Sequence, residues 1–162
     1  MKNASPVVGW GVLVLVASFL TWGTFQTTVA SVSGELFGGL FGGLFKGFNP
    51  LGAVPLKVTL SGWSGNITLL GMALPNWLAV VAALAATFMS NARASGSMPF
   101  NRLAPAALAI YALGHVAFLV AVVLSKSGTL GIGALLMIVG LLGILASLFK
   151  MPNATPKAAT PV

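Results

Sequence analysis

The sequence predicts an all-α membrane protein: a four-transmembrane-helix bundle with an extracytoplasmic cap made of a small antiparallel β-sheet and an amphipathic helix. Three observations predict it. The 162 residues are 57% hydrophobic and 6% charged, whereas soluble proteins carry about 25% charged residues. So few charges cannot build a water-facing surface, and lipid must solvate most of the chain. Four apolar segments recur along the sequence, and three of them reach the roughly 20 residues that a bilayer requires. Between the first and second lies a long polar-interrupted segment that carries both a strand-like and a helix-like apolar period.

The first span covers residues 7–25, VVGWGVLVLVASFLTWGTF, uncharged, with Trp10 and Trp22 near its ends as an aromatic belt would place them. Cleavage as a signal peptide after Thr28-Val29-Ala30 is the competing reading. The apolar run is longer than the usual h-region, which favours a span. The second span is residues 75–89, short by itself, and covers residues 69–90 once residues 69–74 join it. Pro75 opens its helix, since a proline in the first turn sacrifices no hydrogen bond. The third covers residues 105–124 and again opens on a proline; the fourth covers residues 130–149. Residues 1–150 form one membrane domain, and the Pro/Ala/Thr-rich tail 151–162 reads as disordered.

The outer loop, residues 26–68, supplies the cap. In LKVTLSGWSGNITLL, Lys57, Thr59 and Ser61 alternate with Val58 and Leu60, a strand period. Gly62-Trp63-Ser64-Gly65 reads as a turn, so residues 66–70 are expected to return as the partner strand. Residues 26–33 offer a third strand; two strands alone would be marginal.

The cap helix comes from GELFGGLFGGLFKGF, residues 34–48. At about 100° per residue, Leu36, Phe37, Leu40, Phe41, Leu44, Phe45 and Phe48 fall on one half of a helix, and all but one of the glycines from Gly38 to Gly43 and beyond fall on the other. Each interior glycine costs about 1 kcal/mol relative to alanine. Burying each Leu or Phe returns roughly 1.5–3 kcal/mol. The helix therefore needs a membrane or protein surface to lie on. It is too short for a fifth span, and Glu35 and Lys46 bracket it. Packing of its glycine face on another subunit and an irregular low-complexity loop remain the alternatives.

The net charge of +7 is scattered, with no basic patch suited to nucleic acid. With four spans, Lys2, Arg93, Arg102, Lys150 and Lys157 lie on one side, and Lys46, Lys57 and Lys126 on the other. The excess places both termini in the cytoplasm.

Catalytic chemistry has little to work with. There is no cysteine, one histidine, and one carboxylate side chain, Glu35, so paired acid–base catalysis and a Ser-His-Asp triad are excluded within one chain, and one His with one Glu makes a poor zinc site. No enzyme activity and no cofactor are expected. The exception to consider is His115, an ionisable group inside the third span, with Tyr111 one turn earlier. It could ligate a haem- or chlorophyll-type metal or pass a proton, although a proton relay normally needs carboxylate partners and no span contains Asp or Glu. The alternative is a neutral imidazole hydrogen-bonded across helices to Ser18, Thr21 or Thr87. Gly133, Gly140, Gly143 and Ser147 form a small-residue stripe on the fourth span, suited to close helix packing.

Four spans, short connections and a long first outer loop carrying a β-hairpin around Gly62-Trp63 resemble the claudin-type tetraspan arrangement in topology only, since the paired loop cysteines of claudins are absent. The pattern TW–loop–GWSGNITLLG–LPNW is similar to small bacterial four-span membrane proteins with no assigned activity, which implies a location in the cell inner (cytoplasmic) membrane and nothing more. The expected role is a structural, accessory or assembly subunit in contact with lipid and a membrane-protein partner or a second copy. A pore lined by Ser18, Thr21 and Thr24, or a pigment-binding subunit through His115, are the other readings.

Overall fold

The computed structural model describes residues 6–28, 55–69, 72–96 and 101–150. The fold is mostly helical. Helices α1 (Pro6–Phe19), α2 (Trp77–Ala94), α3 (Leu103–Ser125) and α4 (Ile132–Lys150) are joined by strands β1 (Thr21–Thr28), β2 (Pro55–Ser61), β3 (Asn66–Leu69), β4 (Met72–Pro75) and β5 (Thr129–Leu130). By length and composition α2, α3 and α4 can cross a bilayer, which marks a membrane protein; α1 is apolar but shorter. The helices touch in a ring, α1 on α2, α2 on α3, α3 on α4 and α4 on α1. The short β5 turn makes α3 and α4 antiparallel. Every strand joins the helices at the same end of the bundle.

The first apolar segment does not stay helical to residue 25. The α1 helix stops at Phe19, where Leu20 N–H bonds Ala17 O at 3.3 Å, and the chain turns into β1. The sequence TWGTFQTT is rich in β-branched and aromatic residues that suit a strand. Trp22 is fully buried and donates from Nε1 to Ala17 O at 2.9 Å, so it anchors the strand to α1 instead of marking a membrane boundary. The second segment differs in the same way. Pro75 ends β4, and α2 begins at Trp77. Proline is at home in an edge strand, where no ladder donor is needed.

The cap contains antiparallel sheet, with different partners from those expected. The β2 strand pairs with β1, not with β3: Gly23 faces Leu60, Phe25 faces Val58 and Gln26 faces Lys57. The β5 strand adds to the other edge of β1. Residues 66–69 pair instead with β4 as a separate hairpin. The predicted alternation in β2 is present, with Lys57 and Thr59 exposed while Val58 and Leu60 turn inward. Of the strand predicted at residues 26–33, residues 26–28 lie in β1, which begins at Thr21, and residues 29–33 fall outside the described residues. The amphipathic-helix residues 34–48 and the tail 151–162 fall outside the described residues.

The core is one continuous cluster. It runs from Ala86, Ala109 and Ile144 in the bundle through Val14, Val80 and Leu119 to Trp22, Leu60 and Ile67 beneath the strands. The sheet thus packs on the bundle through the same apolar core.

Candidate functional site

The largest polar constellation lies where the strands meet the helices. Its centre is Asn76, fully buried at the start of α2. An asparagine there would ordinarily cap the helix, but its side chain makes no capping bond. Its amide nitrogen donates instead to Ser61 O (3.0 Å) and Ser64 O (2.9 Å), while its backbone N–H bonds Gly65 O (3.1 Å). Gly65 has φ +92°, a conformation that L side chains rarely adopt.

This arrangement fixes a tautomer. Two carbonyls can only accept, so the Asn76 NH2 must face them. Its Oδ1 then points at His115 Nε2, 3.4 Å away, long for such a bond. An amide oxygen accepts, so His115 carries its proton on Nε2. The Nδ1 atom keeps its lone pair and has no partner within the described residues. A metal at Nε2 would have to displace Asn76. His115 is 5% exposed, and its ring meets Tyr111 edge-on at 6.1 Å. Though halfway along α3, it is level with the start of α2.

None of the three partners suggested by sequence bonds His115. Ser18 Oγ donates to Leu15 O (2.7 Å) and accepts from Trp63 Nε1 (3.0 Å). Thr87 bonds Ala83 O in its own helix, and Thr21 is exposed on β1. Ser18 lies on α1, whereas Thr21 and Thr24 lie on β1, so these three share no helix face. Asn76 was missed because its partners come from residues 61–64; the available signal was an Asn between Pro75 and Trp77, at a helix start.

The loop 61–65 is tied to every nearby helix. Gly62 N–H bonds Ser18 O of α1 (3.0 Å), Asn76 holds it to α2, and His115 reaches Asn76 from α3. Trp63 stacks against Phe19 with centroids 5.7 Å apart. The arrangement is a clamp.

The small-residue stripe of α4 faces α1 and β1. A Cβ on Gly140 would stand 2.7 Å from Val14 Cγ2, one on Gly143 would stand 2.6 Å from Trp10 Cε3, and one on Gly133 would stand 2.8 Å from Trp22 Cδ1. Ser147 bonds Gly143 O within the helix (2.8 Å). An apolar groove of about 300 Å³ runs between α1 and α2, lined by Val8, Val12, Leu15, Leu84 and Phe88 over Gly11. Leu36, Phe37, Leu40, Phe41, Leu44, Phe45 and Phe48, expected from the sequence to meet a membrane or partner surface, lie outside the described residues. No group of three or more His, Cys, Asp or Glu that could hold a metal exists among the described residues.

No family model matches the chain, and neither any curated protein nor any solved structure matches it.

Proposed function

We propose that the protein is a structural or accessory subunit of a membrane complex, without catalysis of its own. Its four helices cross the bilayer, its cap faces outward and both termini are cytoplasmic. The observation that carries this reading is the outward face of the bundle. Val12 and Val16 on α1, Phe88 on α2, Ile110 on α3, and Leu135 and Leu142 on α4 are all exposed. A band of apolar side chains around every helix calls for lipid or protein as its solvent.

Two further features support the membrane placement. Trp63 and Trp77 are about half exposed at the level where the strands begin, the position that interfacial tryptophans favour. Below that level α2 is 18 residues long, about 27 Å at 1.5 Å per residue, close to the ~30 Å hydrocarbon thickness. The 14 residues of α1 give only about 21 Å. Its span is continued by the start of β1, where Trp22 and Gly23 are buried against the bundle, as non-helical backbone at membrane depth requires. Arg93, Arg102 and Lys150 belong to the helix ends opposite the strands, and Lys57 and Lys126 to the strand end. That excess favours a cytoplasmic side away from the cap.

The apolar α1–α2 groove suits a partner helix. Mild detergent extraction followed by native gel electrophoresis tests the subunit role. A species larger than the monomer is expected, and a strictly monomeric protein without any co-purifying partner would contradict it.

A further inference from the structure

We propose that the cleft between β1, β2 and the end of α3 binds a phosphate-type oxyanion, supplied either by an anionic lipid headgroup or by free phosphate. This goes beyond the structural role and does not depend on it.

The cleft encloses about 550 Å³ and is lined by Thr24, Phe25, Gln26, Lys57, Lys126 and Ser127, among others. Two lysines line it from different elements. Lys57 sits on β2 directly opposite Gln26 of β1. Lys126 follows α3, and its Nζ lies 5.0 Å from the centre of the Phe25 ring, a cation–π contact that holds the flexible side chain at the cleft wall. The described residues contain no Asp or Glu; Glu35 is the one acid in the chain. Within the described structure, therefore, no carboxylate competes for either lysine.

Ser127 is the second, independent observation. It is the one non-glycine residue with positive φ among the described residues, at 52°. It occupies the left-handed position of a Schellman turn: Ser127 N–H bonds Leu124 O (3.0 Å) and Gly128 N–H bonds Val123 O (2.8 Å). Glycine is the usual occupant because it takes this conformation without steric cost. The turn uses only the backbone of Ser127. Serine accepts the strain and adds a hydroxyl at the rim of the cleft, where strained residues tend to serve ligands.

Thr24 and Thr129 add another donor. Their hydroxyl oxygens are 2.7 Å apart; one must donate to the other, which leaves the acceptor's own proton free. Two ammoniums, hydroxyl protons and the Gln26 amide suit a ligand with several acceptor oxygens and more than one negative charge. The negative end of the α3 dipole opposes an anion here. It amounts to about half a charge, and backbone N–H groups already occupy its last carbonyls. Two full positive charges outweigh it.

The test uses the full chain in phosphatidylcholine bicelles, following the Ser127 and Gly128 amide shifts by NMR. One arm titrates inorganic phosphate at constant ionic strength; the other replaces phosphatidylcholine with phosphatidylglycerol. We expect saturable shifts in at least one arm. Response to lipid alone would identify a headgroup site, and response to phosphate alone a soluble-anion site. Binding should weaken about tenfold or more in the Lys57→Gln, Lys126→Gln double variant and severalfold in Ser127→Gly. The thermal midpoint of Ser127→Gly should not fall, because glycine relieves the turn. Both lysines are exposed, so the double variant should keep the wild-type spectrum elsewhere. Absence of saturable shifts in both arms, or undiminished binding in either variant, would overturn the proposal.

Discussion

Asn76 commits both amide protons to the carbonyls of Ser61 and Ser64 and its oxygen to His115. Removing the side chain takes one donor from each carbonyl, although Ser64 O keeps the Ser61 N–H at 3.2 Å; each lost hydrogen bond is worth about 0.5–1.5 kcal/mol. Asn76→Ala should therefore lower stability by about 2–3 kcal/mol. Asn76→Asp keeps the shape but loses both protons, so it should be nearly as damaging. His115→Leu should cost less, roughly 1–2 kcal/mol, since one long bond is lost and one acceptor stranded. Unfolding midpoints of the three variants in detergent check the order; a His115 variant more damaging than Asn76→Ala would show that the histidine, and not the asparagine, organises the junction.

At the scale of elements, the glycines divide into two kinds with opposite predicted responses. Gly143 lies under the Trp10 ring and Gly140 against Val14, so Gly143→Leu or Gly140→Leu should overpack the α1–α4 seam at a cost of about 1–3 kcal/mol. Gly9 and Gly114 have nothing within 4 Å of an added Cβ. Gly9→Ala and Gly114→Ala should raise the unfolding midpoint, by up to about 1 kcal/mol of helix propensity. Equal effects from both pairs would contradict the packing. The repeat at residues 34–48 carries its own prediction. Replacing Phe41 and Phe45 with Ser should expose it to protease, and unchanged protection would show the amphipathic-helix reading to be wrong. The elements also show what a sequence can and cannot disclose. Helices α3 and α4 were legible from apolar length alone, and β2 from the alternation of Lys57 to Ser61. The β1 strand was hidden because its TWGTF continues the apolar run of α1, and periodicity cannot separate a short buried strand from a helix. Pairing was misread because the turn chemistry of residues 62–65 is local, while the partner of β2 is chosen by Phe25 and Trp22 burying against the bundle, a non-local event. For the same reason Asn76 and the Lys57–Lys126 cleft were invisible: each is assembled from residues far apart in sequence.

For the whole molecule, the bundle and the cap share one core. The cap should not unfold before the bundle, and a single cooperative transition is expected when circular dichroism and tryptophan fluorescence are followed together, since Trp22 and Trp63 report the junction and the helices report the bundle. Two separated transitions would contradict a continuous core. The central claim is that the strands stand on one side of a bilayer and the far helix ends on the other. The chain lacks cysteine, so a single introduced thiol is the only one present. Gln26 on β1 and Ala94 at the end of α2 are both exposed and lie at opposite ends of the bundle. The direct measurement is labelling of Gln26→Cys and Ala94→Cys, separately, with a membrane-impermeant maleimide on intact and permeabilised cells. The account predicts that Gln26→Cys labels in intact cells and Ala94→Cys only after permeabilisation; labelling of both, of neither, or in the reverse order in intact cells would contradict it.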